Sequence, residues 1–142
     1  MSDYRFCVSL RITHPNMDPE VITKKLQIDP FRIWKYGEQR ISPKGSLLEG
    51  VNKESFWAAK MHSEKRLLST DIYIEEYLVK LNKKLSPFSQ YFSDIVKSGG
   101  YVEYFIGWFS ADNVGVTFDT ALMNQTADLN ISIGIDAYIC EE

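Results

Sequence analysis

YRFCVSLRI, residues 4–12, decides the fold class of this chain. Tyr4, Phe6, Val8, Leu10 and Ile12 fall on one side of an extended backbone, while Arg5, Cys7, Ser9 and Arg11 fall on the other. A period of two over nine residues is the pattern of a half-buried strand. Only one of its faces asks for cover, so the strand belongs to a sheet with helices packed on one side.

The next residues supply the first such helix. Asp18 can cap it, Pro19 brings a φ already suited to the first turn, and Glu20 complements the helix dipole. The helix is expected over residues 19–26, with Val21, Ile22, Leu26 and Ile28 facing inward. Pro30 holds Asp29 out of the helical region and ends it. DPFRIWKYGEQRISPKG, residues 29–45, then lacks a single period. It reads as a structural connection or an edge strand, in which Trp34 pins the loop, Gly37 allows a turn with positive φ, and Pro43 with Gly45 marks a second turn. A second strand is expected over residues 55–61.

Farther along, Ile74, Tyr77, Leu78, Leu81 and Leu85 have helical spacing, which predicts a helix over 71–85 capped by Thr70 or Asp71. A second helix is expected over 87–97, with Phe88, Tyr91, Phe92, Ile95 and Val96 inward and Gly99-Gly100 as its stop. YVEYFIGWF, residues 101–109, is apolar on both sides and reads as a central strand covered on both faces. Asp112-Asn113 marks a turn. Phe118, Ala121, Leu122 and Leu129 predict a helix over 118–129, and ISIGIDAYI, residues 131–139, a last alternating strand. The order predicts a single α+β domain over 1–142: a mainly antiparallel sheet with helices packed on one face. It approximates a ferredoxin-like βαββαβ order plus an added C-terminal helix and strand.

Composition narrows the classes. A chain of 142 residues buries roughly two thirds of the surface it exposes unfolded, and 44% apolar with 25% charged residues is a globular balance. No secretory leader pattern opens it, and no apolar run approaches the roughly 20 residues of a spanning helix, so a soluble cytoplasmic protein without a membrane role is expected. Its two cysteines, Cys7 and Cys140, are expected as free thiols. Net charge is −3 but uneven: residues 24–66 hold ten Lys/Arg against five Asp/Glu, whereas residues 101–142 hold seven acids and no Lys or Arg. Such a layout suits either a charged partner or two solvated faces.

The spacing of Phe6, Val8 and Leu10, the run Asp18 to Thr23, then Leu26, Ile28, Pro30, Trp34, Gly37 and Trp57 resembles the bacterial domain of unknown function 4279 family. The C-terminal helix and the last strand with Tyr138 extend the resemblance over nearly the whole chain. It implies a size and a bacterial setting, and brings no activity, cofactor or established site.

Chemistry-bearing patterns are sparse. His14, His62, Cys7 and Cys140 offer no nucleophile with a base at recognisable spacing, and no helix start is expected near either thiol to activate it. Asp112, Asp119 and Asp136 are scattered singly, without metal-ligand spacing. Gly99-Gly100 follows a helix and precedes a strand, the reverse of a phosphate-cradling loop. Arg32, Lys35, Arg40 and Lys44 interleave with Trp34 and Tyr36 as in single-strand binders, yet the acidic C-terminal third argues against nucleic acid. Protein recognition remains, through a helix-free sheet face carrying Arg5, Ser9, Arg11, Asp136 and Tyr138. The expectation is therefore a non-enzymatic protein-binding module without cofactor or metal, a monomer or homodimer. Its narrower form is an immunity-type protein that covers a toxin, with the acidic third meeting a basic partner. The rival is a small-ligand module or enzyme using a cleft near residues 29–45, lined by Arg32, Trp34, Tyr36 and Arg40.

Overall fold

A computed structural model describes residues 3–139. The elements are β1 (Arg5–His14), α1 (Glu20–Leu26), β2 (Arg32–Trp34), β3 (Gln39–Ile41), β4 (Leu47–Val51), β5 (Ser55–Lys60), β6 (Leu67–Leu68), α2 (Ile74–Leu85), α3 (Ser89–Lys97), β7 (Tyr101–Ser110), α4 (Thr120–Asp128) and β8 (Ile131–Ile139). A single 3-10 turn, Ser86–Phe88, joins α2 to α3.

The main sheet runs β2-β5-β1-β7-β8, and β6 pairs with the start of β1. β5 and β7 flank β1 antiparallel, β2 pairs antiparallel with β5, and β8 is parallel to β7. Each of the first two helical crossovers therefore returns to a strand two places away, leaving room for one strand between. β5 fills the gap left by β1-α1-β2, and β1 fills the gap left by β5-α2-α3-β7. Those are the two split βαβ units of a ferredoxin-like order, to which α4 and β8 add one parallel strand.

One face of this sheet carries the core. Phe6, Val8, Leu10 and Ile12 of β1 meet Trp57 and Ala59 of β5 and Val102, Tyr104, Ile106 and Trp108 of β7. Ile22 and Leu26 of α1, Ile74, Leu78, Leu81 and Leu85 of α2, Phe92 and Ile95 of α3, and Leu122 of α4 close over them. The Trp57 indole N–H donates to Thr23 Oγ1 at 2.9 Å, so its one polar atom is satisfied inside the core.

Local signals act as expected at several boundaries. The Asp18 carboxylate accepts the Glu20 N–H beside the start of α1, although Pro19 is the N-cap and the helix begins one residue later than expected, at Glu20. α3 ends in a Schellman pair: Gly100 N–H donates to Ile95 O and Gly99 N–H to Val96 O, with Gly99 at φ +100°.

Other expectations are corrected. α2 starts at Ile74, not beside Thr70 or Asp71. Asp71 and Ile72 N–H both bond to Leu68 O in a preceding turn, and the Glu76 carboxylate accepts the Tyr73 N–H. Val21, Val96 and Ala121 are exposed, because each helix meets the sheet over a narrower stripe than its apolar residues span. The connection at 29–45 takes the edge-strand form, one of its two expected readings, and adds a hairpin that was not expected. It holds edge strand β2, and beyond it β3 pairs with the unforeseen β4 in a separate hairpin. β7 is covered on one face only: Tyr101, Glu103, Phe105 and Phe109 face away from the helices, exposed or half-buried.

Both histidines are built into this frame. The His14 Nδ1 accepts the N–H groups of Asn16 and Met17, and its Nε2 pairs with Ser98 Oγ at 2.9 Å. The His62 Nε2 accepts the Val8 N–H at 3.0 Å where the β5-β6 edge is interrupted, and its Nδ1 bonds Glu64 O. A lone pair given to an amide requires a neutral ring, and burial lowers the pKa of both below the ordinary 6.5. Each ring binds its proton more weakly folded than unfolded, so the unfolded chain holds more protons in acid. Stability is expected to be complete above about pH 6.5 and to fall as pH drops below it. His62→Phe should cost about 1–2 kcal/mol at neutral pH by orphaning the Val8 N–H, and should flatten that acid slope, as read by urea unfolding across pH.

Candidate functional site: the helix-free face of the sheet

Strand register sets the side chains of this face in rows. Trp34, Phe56, Thr13 and Tyr101 form the first row, and Arg32, Ala58, Arg11, Glu103 and Ser132 the second. Lys60, Ser9, Phe105 and Gly134 follow, then Cys7, Gly107 and Asp136, and finally Leu68, Arg5, Phe109 and Tyr138. The two sets of residues that the sequence suggested separately, Arg5, Arg11, Asp136 and Tyr138 on one hand and Arg32 and Trp34 on the other, thus share one surface.

Its aromatic rings are packed against each other and against guanidinium groups. The Arg11 guanidinium lies 3.6 Å from the Phe105 ring centroid, and that of Arg66 lies 3.7 Å from Phe109. Tyr138 stacks on Phe109 with centroids 5.0 Å apart, and Trp34 stacks on Phe56 at 4.4 Å. Arg32 sits 5.1 Å from the Trp34 ring. These contacts hold the long side chains of the face in place. Cationic groups prevail: Arg5, Arg11, Arg32, Lys60 and Arg66 against Glu103 and Asp136.

Periodicity missed Arg66, Phe56 and Phe105 as members of this face. Phe56 and Phe105 do alternate with buried Trp57 and Tyr104, a signal that could have placed them. Arg66 lies between strands and has no such signal.

Tyr36 and Arg40 stand off the sheet. Tyr36 follows β2, exposed, with its N–H on Ser55 Oγ, and Arg40 donates to Glu49 O within the hairpin. A cleft of about 420 Å³ does open between β2 and the hairpin, and Arg32 and Trp34 line it together with Phe31, Gln39, Ile41 and Ser42. Tyr36 and Arg40 do not line it.

The acids of the C-terminal third are dispersed. Glu103 and Asp136 lie on the sheet face, Asp119 caps α4 by accepting the Leu122 N–H, and Asp112 follows β7 in a turn. Among the described residues no three His, Cys, Asp or Glu side chains gather as metal ligands would, and no helix is long and apolar enough to cross a membrane. Cys7 is a free thiol on the helix-free face, beside Gly107; Cys140 lies outside the described residues.

No curated protein and no solved structure matches this chain. A family model does match, over residues 2–140 and so nearly end to end, and the chain belongs to that family, described as Domain of unknown function (DUF4279).

Proposed function

We propose that this chain is a non-enzymatic, cytoplasmic protein-binding module that engages its partner through the helix-free face of the sheet. The observation that carries the reading is the prepacked set Arg11-Phe105, Arg66-Phe109-Tyr138 and Arg32-Trp34-Phe56. Arg, Tyr and Trp are the residue types that dominate interface energetics, and anchors held before binding lose little further freedom. The cationic excess selects an acidic partner surface rather than the basic one suggested by the charge of the C-terminal third. Neutralisation of a toxin by covering its working surface, the role of a bacterial immunity protein, is the narrower form of this reading.

Base stacking fits less well, because it uses open ring faces, and here guanidinium groups occupy Phe105 and Phe109. A non-enzymatic role is supported by the two histidines, whose ring nitrogens are engaged in holding backbone and loops.

The test is affinity capture of the tagged chain from its own host at low and high salt, repeated with Lys60→Glu and Arg66→Glu. A stoichiometric protein partner should bind at low salt and be lost at high salt. Each reversal should weaken it about tenfold or more with an unchanged circular dichroism spectrum. A partner indifferent to both reversals, or capture of nucleic acid instead, would overturn the reading.

The cleft beside β2 supports a second use, binding of a small ligand. Ser42 lines that cleft but not the sheet face, so Ser42→Trp should abolish such binding and leave partner capture intact.

A further inference from the structure

The two edges of the main sheet differ in their protection. β2, at one edge, is three residues long, follows Pro30 and is flanked by the β3-β4 hairpin. β8, at the other, is nine residues long, contains no proline or lysine and has one charge, Asp136. Among the described residues it pairs only with β7, so its outer row of N–H and C=O groups has no strand beside it. Natural edge strands are ordinarily short, charged or covered, because a bare row of backbone groups recruits another strand.

Its side chains point the same way. On the helix side, Ile131 is buried and Ile133 half-buried, but cover then runs out: Ile135 is 44% exposed and Ile139 86% exposed. α4, nine residues long, spans only about 13 Å and accompanies only the first part of the strand.

We propose that β8 pairs antiparallel with β8 of a second copy of this chain, about a twofold axis at Ile135, joining the two sheets into one. The strand is self-complementary in that register. Ile135 meets its own symmetry mate, Ile133 meets Ala137, and Ile131 meets Ile139, so exposed Ile135 gains cover from its copy and exposed Ile139 lies against the strand end where Ile131 is already buried. On the helix-free side Gly134 meets Asp136 and Ser132 meets Tyr138, a small residue opposite a large one each time. The one charge of each strand faces glycine rather than its own copy, so no like charges are opposed. Such an isologous contact closes on itself. The axis stands perpendicular to the sheet, so both helix-free faces point to the same side and the dimer presents its binding surface twice, a geometry that raises avidity for a repeated or dimeric partner.

The test uses the full chain. Sedimentation equilibrium over a concentration series should show a monomer-dimer equilibrium, and Ile135→Lys, which sets two ammonium groups opposite each other, should shift the full range to monomer with the circular dichroism spectrum retained. Register is read by cross-linking in a Cys7→Ser, Cys140→Ser background. Ile135→Cys should form an intermolecular disulfide on mild oxidation, since opposed Cα atoms in an antiparallel pair lie about 4.5–5.5 Å apart, within disulfide reach. Ser132→Cys should not, because its symmetry mate lies six residues along the strand, about 20 Å away. A chain that stays monomeric at its highest soluble concentration overturns the proposal. So does a dimer untouched by Ile135→Lys, or one that cross-links equally well through residue 132.

Discussion

Gly100→Ala is expected to destabilise the protein by about 3 kcal/mol or more and to lower its melting temperature by about 6–12 °C. Gly100 sits where α3 turns into β7, with its N–H on Ile95 O at 2.8 Å. A Cβ there would lie 2.6 Å from Ile95 Cγ2, 2.8 Å from Ile95 O and 2.9 Å from Thr13 O. Two of those three atoms are backbone, one in a helix end and one in the central strand β1, so neither can rotate aside. The neighbouring Gly99 differs in kind. It needs glycine for its positive φ of 100°, and a Cβ on it would meet only the ring of Pro15, at 3.2 Å. Gly99→Ala should therefore cost less, about 1 kcal/mol from its left-handed backbone. Thermal unfolding of the two variants side by side checks the ranking. Equal losses would mean that the close approach of Gly100 to β1 is not what holds this junction.

The second large effect is expected at Asn82. This buried amide lies on α2 and joins three elements: its Oδ1 accepts the Tyr104 hydroxyl of β7 at 2.8 Å, and its Nδ2 donates to Thr126 Oγ1 of α4 at 2.9 Å. Thr126 in turn donates to Leu122 O. Burial pushes the Tyr104 hydroxyl pKa far above its ordinary value of 10, so it stays a donor at every working pH. Asn82→Ala strands that hydroxyl in the core and should cost about 3 kcal/mol, part for the unpaired donor and part for the void. Tyr104→Phe leaves the Asn82 oxygen unpaired and should cost about 1–2 kcal/mol. The pair Asn82→Leu with Tyr104→Phe removes both partners and should recover much of the loss, a coupling of about 1–2 kcal/mol in a double-mutant cycle. Additive losses in urea unfolding would show that the two groups do not act as one network.

Asn82 also marks how far local pattern reaches. It stands four residues after Leu78 and three before Leu85, squarely on the stripe that helical spacing turns inward. The spacing was visible, but its partners were not, since Tyr104 and Thr126 lie 22 and 44 residues away. The same division holds for the candidate site. Alternation in residues 4–12 placed Arg5 and Arg11 on one face, and alternation in 131–139 placed Asp136 and Tyr138 together. That Arg32 and Trp34 join them follows from β2 pairing with β5 in a register no local signal carries.

By itself the sequence determined the order of the helices and of the long strands, the inward faces of β1 and α2, the glycine stop before β7 and the membership of the family. These rest on period, capping and backbone conformation, which act over a few residues. Only the tertiary structure decided which apolar face is covered. YVEYFIGWF looks apolar on both sides, yet helices close over one side alone, and the other becomes the Arg-aromatic surface. The last strand alternates to its end, yet its final isoleucines stay bare because α4 is too short to follow it. Burial is set by what packs across from a residue, and that neighbour comes from a distant part of the chain.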